Sequence, residues 1–391
     1  MNRTQHRPSP AAGTSAGQNL ASGAAGRTLL HIERAHRGLV GSDVVQNAVV
    51  AMTREPINPN PANSSFYRGA PAVAFVLHTA GQPGYAKALA TLDEQVAAIT
   101  RHRLCDAHER VDCGQLPALR EFDLISGLTG LGAYLLHRQC RHELLNDVLR
   151  YLVRLSEPVR IDGQPLPGWW SSRGPTDQYA PEWPGGHGNL GIAHGIAGPL
   201  ALLATTMRRG VTVAGQAEAI TRIIAWLDQW QCGVGLRAWW PGVISRTELR
   251  RSAVEQCGPQ RPSWCYGMPG LVRAQQLAAI ALDDDVRQRH AEEALLGCID
   301  DEAQLSQLID AGLCHGWAGL VQGVARIAAD ATCDVAAGLP RLLRRFEQMA
   351  ADTGQLDDGL VDGTAGIELA RMTAAHGPSL SGWDACLLLA G

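Results

Sequence analysis

The stretch LCHGWAGLVQGVARIA, from Leu313 to Ala328, contains the pattern from which the fold is predicted. A short loop ends in Gly316 and is followed by apolar residues at three- and four-residue steps, which is the spacing of a helix with a buried face. A second glycine, Gly319, lies three residues after the first. The stretch therefore predicts a glycine-containing loop that leads directly into a buried helix.

The same pattern recurs along the chain. Clear copies begin at Ser126, Gly191, Cys265 and Leu360, and a fainter copy begins at Tyr67. The copies are roughly 50 to 70 residues apart, which is enough for two helices and their connections in each unit. When the copies are aligned, the anchor glycines are Gly69, Gly127, Gly195, Gly267, Gly316 and Gly363.

Repeats of this kind predict an all-α protein. Amphipathic segments such as Ala214–Gln231 and Asp285–Leu296 lie between the copies, and alternating strand patterns are confined to short stretches. We expect an α/α toroid, a double ring of helical hairpins in which inner helices are surrounded by outer helices. The glycine loops would then share one end of the ring. Glycine suits them through positive φ and through close approach of the helix starts, and the alternative is a role in packing alone.

The composition limits the domain organisation and the partners. Residues 1–26 are rich in Ala, Gly and Ser and are expected to form a disordered lead, whereas residues 27–391 are expected to form a single catalytic toroid domain. No Lys/Arg-rich run is present, which argues against nucleic acid as a partner. No apolar stretch of about 18 residues exists, so direct membrane insertion is not expected. Without a secretory signal the protein is expected to be cytoplasmic, with its ten cysteines mostly reduced.

Three of the copies have unusual residues just before the anchor glycine. One contains His194, one contains Cys265 and Tyr266, and one contains Cys314 and His315. If the loops converge, the two cysteines and His315 form a set of two sulfurs and one nitrogen. Zinc prefers these ligands, and three of them leave the fourth position open, as a catalytic site requires. The alternative is three unrelated buried residues, and residue types alone do not decide between the two.

Four segments resemble the signature segments of the LanC family of lanthipeptide cyclases. They are SWCYGMPGL (Ser263–Leu271), LCHGWAGL (Leu313–Leu320), GIAHGIAG (Gly191–Gly198) and FDLISGLTG (Phe122–Gly130). They occur in the family's order, and the repeat pattern covers roughly Tyr67 to the C-terminus. The resemblance implies an α/α toroid around a central zinc ion. That family is described with seven hairpins, of which the sequence displays six.

The resemblance also implies which residues act. It implies one zinc ion per chain as the cofactor. The zinc ligands that match the family's motifs are Cys265, Cys314 and His315. The matching catalytic residues are His194, Asp123, Arg261 and Tyr266, with Trp264 as a further aromatic residue.

The implied reaction is a Michael addition. A cysteine thiol of a peptide adds to dehydroalanine or dehydrobutyrine and forms a lanthionine or methyllanthionine ring. His194 would protonate the enolate or accept the thiol proton, Asp123 would orient that histidine or relay protons, and Arg261 would stabilise charge on the enolate oxygen. The structural alternatives are helix capping for His194 and Asp123 and a surface position for Arg261.

The expected substrate is a dehydrated precursor peptide. The chain is too short to contain a dehydratase as well, so a separate dehydratase is expected as a partner, with an ABC exporter as a further one and as a route to membrane association. One alternative function is the addition of glutathione or another thiol to dehydroamino acids, and another is a non-catalytic scaffold that binds the precursor peptide. Trp169–Trp170 and Trp239–Trp240 are candidates for a peptide cleft or for the core. His187 lies in the Gly/Pro/Trp-rich loop between Gly168 and Asn189, which is expected near the mouth, and is a weaker candidate for a catalytic role beside the zinc.

Overall fold

The computed structural model describes residues 16–351 and 357–391, and these ranges are predominantly helical, as predicted. The α-helices within them are α1 (Ala24–His36), α2 (Ser42–Met52), α3 (Ala70–Thr79), α4 (Ala86–Asp112), α5 (Leu119–Phe122), α6 (Leu128–Arg138), α7 (His142–Leu155), α8 (Ala197–Arg208), α9 (Gln216–Gln229), α10 (Arg246–Arg251), α11 (Met268–Ala281), α12 (Asp285–Asp300), α13 (Glu302–Leu305), α14 (Trp317–Asp330), α15 (Leu339–Ala351) and α16 (Thr364–His376).

Seven of these helices form a closed inner ring. Each inner helix contacts the next in the order α1, α3, α6, α8, α11, α14 and α16, and α16 contacts α1 again. The outer helices α2, α4, α7, α9, α12 and α15 each pack against the inner helix that precedes them in the chain. The architecture is the predicted toroid of helical hairpins.

The two rings differ in how their residues are buried. Every residue of inner helix α3 except His78 is buried. Outer helix α15, in contrast, buries Leu342, Phe346 and Ala350, which are four residues apart and share one face. A helix that is apolar on all sides is buried on all sides, and an amphipathic helix covers a core with one stripe. The hydrophobic pattern therefore sorts the helices into the inner and the outer ring.

The structure contains a seventh copy of the glycine pattern, which the sequence reading missed. Helix α1 follows Gly23, Gly26 lies three residues later, and Leu20 before them is fully buried. The predicted lead of residues 1–26 is thus wrong for its last part, and its residues 1–15 lie outside the described residues. A Cβ on Gly26 would lie 2.1 Å from the carbonyl oxygen of Leu20. The small residues here reflect close packing.

Two short antiparallel strand pairs lie in the long connections of the chain. Strand β1 (Val159–Ile161) pairs with β2 (Gln164–Leu166), and β3 (His187–Asn189) pairs with β4 (Val243–Ser245). Strands of three residues are too short to show an alternating pattern, which explains why the sequence did not predict them. Within the described ranges, no helix combines the length and the apolar character needed to cross a lipid bilayer.

The C-terminal segment contacts two loops that lie far apart in the chain, one before α3 and one before α11. Its 3₁₀ turn, Trp383–Leu387, is followed by buried leucines. The Cys386 carbonyl accepts a hydrogen bond of 2.8 Å from the Tyr67 hydroxyl before α3, and the Leu387 carbonyl accepts one of 3.0 Å from the Trp264 indole before α11. The segment therefore ties together loops from different parts of the ring.

Candidate metal centre and acid–base site

Glycine is required in the loops because of crowding. The backbone at Gly316 is extended (φ −110°, ψ −167°), and a Cβ there would lie 2.1 Å from an oxygen of Asp310. A Cβ on Gly319 would lie 2.1 Å from the carbonyl oxygen of Leu313. Among the anchor glycines, Gly69 alone has a positive φ (69°). The expected positive φ is therefore the exception, and the expected close approach is the rule.

Backbone hydrogen bonds between neighbouring loops fix their register. The Val361 amide donates to the Ala21 carbonyl (3.0 Å), and the Cys314 amide donates to the Val361 carbonyl (2.9 Å). The Cys265 amide donates to the Cys314 carbonyl (3.2 Å), and the Ala193 amide donates to the Cys265 carbonyl (3.3 Å). All five residues lie two positions before their anchor glycine. The same position of successive repeats is thereby placed side by side at the end of the ring where the inner helices begin, which we call the mouth.

This register brings three metal-ligating side chains together. The ligand atoms of Cys265, Cys314 and His315 all lie within 4.8 Å of one another. Zinc binds sulfur at about 2.3 Å and imidazole nitrogen at about 2.0 Å, so one ion fits between atoms at this spacing. Cys265 is buried and the other two are partly buried, and the described residues contain no other such group of three. The donor set and its spacing fit a zinc ion with one open coordination position.

The electrostatics of the cluster favour a thiolate. A hydrogen bond between the two sulfurs holds the pKa of the Cys265 thiol well below its usual value and the pKa of the Cys314 thiol well above it. A hydrogen bond to Cys265 raises the pKa of His315 against the effect of burial. The positive charge of Arg261 lowers the pKa of both Cys314 and His315 and so partly offsets their upward shifts. These contacts thus favour the deprotonated form of Cys265, which is the form that binds metals.

His194 forms a dyad with Asp123 at the mouth. The Nδ1 atom of His194 lies 2.6 Å from Oδ2 of Asp123, whose side chain is buried. The other oxygen, Oδ1, accepts hydrogen bonds from the amides of Ser126 (2.6 Å) and Gly127 (2.8 Å). Burial lowers the pKa of His194, but the carboxylate of Asp123 outweighs it, and the net shift is upward. Asp123 therefore binds the backbone of its own loop and also orients His194.

Tyr266 lies beside the dyad. Its ring centre is 6.3 Å from that of His194, and its hydroxyl oxygen is 3.4 Å from Nδ2 of Asn189. Burial raises the pKa of this tyrosine, which stays protonated. Asn189 also accepts a hydrogen bond from the Gly191 amide (2.9 Å) and is buried. The sequence reading missed Asn189, although it lies five residues before His194 in the same connection.

Arg261 and Trp264 differ in their surroundings. Arg261 is partly buried, and its charge acts on two members of the metal cluster, as described above. Trp264 is buried, and its indole nitrogen is occupied by the Leu387 carbonyl. Arg261 is thus placed to act near the cluster, whereas Trp264 supports the loop that carries Cys265.

Several weaker candidates belong to the core. Trp169, Trp170 and Trp240 are buried, and the ring of Trp169 packs edge-on against Trp226 with centres 5.3 Å apart. These three therefore do not line an exposed peptide cleft. His187 is buried in β3 with Nδ1 2.8 Å from the Arg173 carbonyl, and burial lowers its pKa to about 4. Its contacts are those of a structural residue.

Two aspartates that the sequence reading did not single out flank the candidate metal ligand His315. Asp310 Oδ2 lies 3.7 Å from Nε2 of the ring, and Asp362 Oδ1 lies 3.8 Å from Nδ1. Asp362 directly precedes its anchor glycine, which is the position of His194, Tyr266 and His315 in their own repeats. The repeat alignment itself was therefore the signal that could have found it.

Comparison with known proteins finds a matching family model, a sequence relative and a solved structure of similar fold. A family model described as "Lanthionine synthetase C-like protein" matches residues 14–388. The Nisin biosynthesis protein NisC of Lactococcus lactis subsp. lactis is 26% identical over 205 residues, which cover 52% of this chain and 48% of NisC, about half of that relative's length. The solved structure of a nisin cyclase matches with a TM-score of 0.80 and 20% identity, covering 96% of this chain and 92% of that chain. This structural likeness establishes the shared fold.

Proposed function

Because the chain belongs to the lanthionine synthetase C-like family, we propose that it is a zinc-dependent lanthipeptide cyclase. The proposed reaction adds a peptide cysteine thiol to the β-carbon of dehydroalanine or dehydrobutyrine. A carbon–sulfur bond forms, the thiol proton is released, and the α-carbon gains a proton, so that a lanthionine or methyllanthionine ring results. The names of the two relatives refer to nisin biosynthesis and to a nisin cyclase, which is in line with this reaction.

The observation that carries the proposal is the convergence of two kinds of group at one mouth. The ligand set Cys265, Cys314 and His315 lies beside the His194–Asp123 dyad. A free thiol has a pKa near 8.5 and is mostly protonated at neutral pH. Held by these three ligands, a zinc ion would offer an open position that favours the thiolate form of the substrate.

His194 is the proposed acid–base residue. Its Nδ1 is taken by Asp123, so Nε2 is the atom that can accept or donate a proton. His194 takes up the thiol proton or protonates the enolate at its α-carbon, and Asp123 keeps the imidazole in the required orientation. Positioned acid–base groups contribute typically ~10²–10⁴-fold to a rate.

Arg261 and Tyr266 have proposed supporting roles. The guanidinium of Arg261 stabilises negative charge that develops on the enolate oxygen. The hydroxyl of Tyr266 remains protonated because burial raises its pKa, so it can donate a hydrogen bond to the substrate. Both residues lie next to the metal ligands or to the dyad, which supports these assignments.

The proposed substrate is a dehydrated precursor peptide, and a separate dehydratase is the proposed source of that substrate. An ABC exporter is a further proposed partner, since a cyclised peptide must leave the cell. We place the reaction in the cytoplasm. All ten cysteines are free thiols, which fits a reducing compartment.

The test is a cyclisation assay with a peptide that contains one dehydroalanine and one cysteine. Ring formation leaves the peptide mass unchanged but removes its free thiol, so it is measured by mass spectrometry after thiol alkylation. We expect enzyme-dependent loss of the alkylated product, well above the rate without enzyme. Peptide that keeps its thiol while it binds the protein contradicts the cyclase proposal and favours a scaffold.

The same assay separates the cyclase from an enzyme that acts with small thiols. With glutathione present, an intermolecular addition raises the peptide mass by one glutathione, whereas cyclisation does not. We expect the cyclised product to dominate. A dominant glutathione adduct contradicts the peptide cyclase and favours the alternative reaction at the same site.

A further inference from the structure

The imidazole of His315 lies between two carboxylates that face different ring nitrogens. Asp310 Oδ2 is 3.7 Å from Nε2, and Asp362 Oδ1 is 3.8 Å from Nδ1. Each distance is within the range of an ion pair and about 1 Å longer than a strong N–H···O hydrogen bond. A shift of the His315 imidazole by about 1 Å toward either carboxylate would convert that ion-pair distance into a hydrogen bond.

The Asp310 carboxylate is held in place by its own loop. Its Oδ1 accepts a hydrogen bond of 2.9 Å from the Gly312 amide, which directs Oδ2 toward His315. A Cβ on Gly316 would lie only 2.1 Å from the same Oδ1 of Asp310, so a larger residue at position 316 would collide with this carboxylate. The absence of a side chain at Gly316 therefore makes room for this carboxylate within the loop that carries Cys314 and His315.

The Asp362 carboxylate comes from the next loop around the ring. The hydrogen bond from the Cys314 amide to the Val361 carbonyl fixes that loop against the metal-ligand loop. Asp362 is thereby set beside His315, and half of its side chain is exposed at the mouth. The two carboxylates approach the His315 imidazole from separate loops and thus restrain it on both sides.

We propose that Asp310 and Asp362 are positioning residues that hold His315 for metal binding and strengthen its bond to the ion. A metal-bound imidazole uses one nitrogen for the metal, and its other N–H needs an acceptor, which in metalloproteins is commonly a carboxylate. Such an acceptor fixes the ring orientation and makes the ligand nitrogen more basic. Because the carboxylates flank both nitrogens, one of them serves as this acceptor and the other adds negative charge near the cation. This inference rests on the zinc site of the proposed function.

The test compares zinc affinity in Asp310→Asn, Asp362→Asn and a matched control, Asp358→Asn. Asp358 lies in the same loop as Asp362, but its carboxylate pairs with Arg27. Zinc affinity is measured on the full chain by competition with a chromophoric chelator, and the absorption spectrum of the Co²⁺-loaded protein reports the ligand geometry. Thermal unfolding of the metal-free proteins separates effects on the site from effects on the fold.

We expect a loss of affinity of about 10- to 100-fold in at least one of the two site variants. The effect should be larger for Asp310→Asn, whose carboxylate is anchored, and Asp362→Glu should recover part of any loss in Asp362→Asn. The Co²⁺ spectrum should change in the affected variant, with unfolding of the metal-free protein unaltered. Affinities within twofold of the Asp358→Asn control in both site variants overturn the inference. Wild-type protein that binds no zinc instead overturns the zinc site of the proposed function.

Discussion

The loops before α11 and α14 and the loops before α3 and α16 have equivalent positions in the ring but different chemistry. Two residues before the anchor glycine, the first pair has Cys265 and Cys314, and the second pair has Tyr67 and Val361. Tyr67 donates its hydroxyl hydrogen bond to the C-terminal segment, while the cysteines turn their sulfurs toward His315. The glycines thus determine where a side chain lies, and the side chain two residues before the glycine determines whether that position packs the fold or contributes a sulfur to the candidate metal cluster.

The largest expected effect comes from the position directly before the anchor glycine. His194→Ala should lower the rate of cyclisation by ~10²–10⁴-fold, because the acid–base group is lost. The matched control is Ser126→Ala, which changes the same position of the preceding repeat. Its rate should stay close to that of the wild type, and zinc content should be unchanged in both variants. Equal losses of activity in the two variants would show that the position before the anchor glycine matters for packing alone, and would contradict the acid–base role of the His194 imidazole.

Asp123→Asn should have the next largest effect on activity. Asparagine can still accept hydrogen bonds from the loop amides, but it removes the charge that raises the pKa of His194 above its ordinary value of 6.5. The pKa of His194 should therefore fall, and the side of the pH–rate profile that reports His194 should move to lower pH: the alkaline side if the residue acts as an acid, the acidic side if it acts as a base. In the wild type, the stabilisation from this pair is fully present below pH 6.5 and is lost as the pH rises through the folded-state pKa.

This prediction is checked by NMR titration of the His194 ring together with the pH–rate profile. A His194 titration that is the same in Asp123→Asn as in the wild type would show that the carboxylate does not act through the imidazole.

Gly319→Ala should destabilise the fold by about 1–3 kcal/mol, since the added Cβ would lie 2.1 Å from the backbone oxygen of Leu313. The control, Gly258→Ala, adds a Cβ that meets nothing within 4 Å and should change stability by less than about 0.5 kcal/mol. Both values are measured by urea unfolding. If the two variants are equally stable, close approach is not the reason for the repeated glycines.

Tyr67→Phe should have the smallest effect, a loss of about 1 kcal/mol in the free energy of unfolding. The substitution removes the hydrogen bond to the buried Cys386 carbonyl. Zinc content should not change, although Tyr67 lies in the same repeat position as the two cysteines. Loss of zinc together with unchanged stability would contradict the structural role of this loop.

The toroid could be predicted from the sequence because the glycine pattern repeats, with a helical hairpin in every unit except the last. The seventh copy at Gly23 and Gly26 escaped notice because its neighbours are also Ala, Gly and Ser, the composition of a disordered segment. Composition alone does not distinguish small residues that avoid order from small residues that permit close packing. The two strand pairs escaped notice because three residues carry no periodicity.

The site was predictable in part for the same reason. Repeat alignment put Cys265, Cys314, His315 and His194 at one mouth, and the structure places them there. Asn189 was not predictable, since it enters the site through the pairing of β3 with β4. The burial of the tryptophan pairs was likewise undetermined, because a large aromatic side chain suits a core and a peptide cleft equally well.

The most direct test of the proposed zinc site is the metal content of the purified protein. Elemental mass spectrometry is applied to the wild type, to Cys314→Ala and to a control, Cys333→Ala, whose thiol is also partly buried but lies outside the cluster. We expect about one zinc per chain in the wild type and in the control, with strong loss in Cys314→Ala. No zinc in the wild type, or undiminished zinc in Cys314→Ala, would contradict the assignment of Cys265, Cys314 and His315 as zinc ligands.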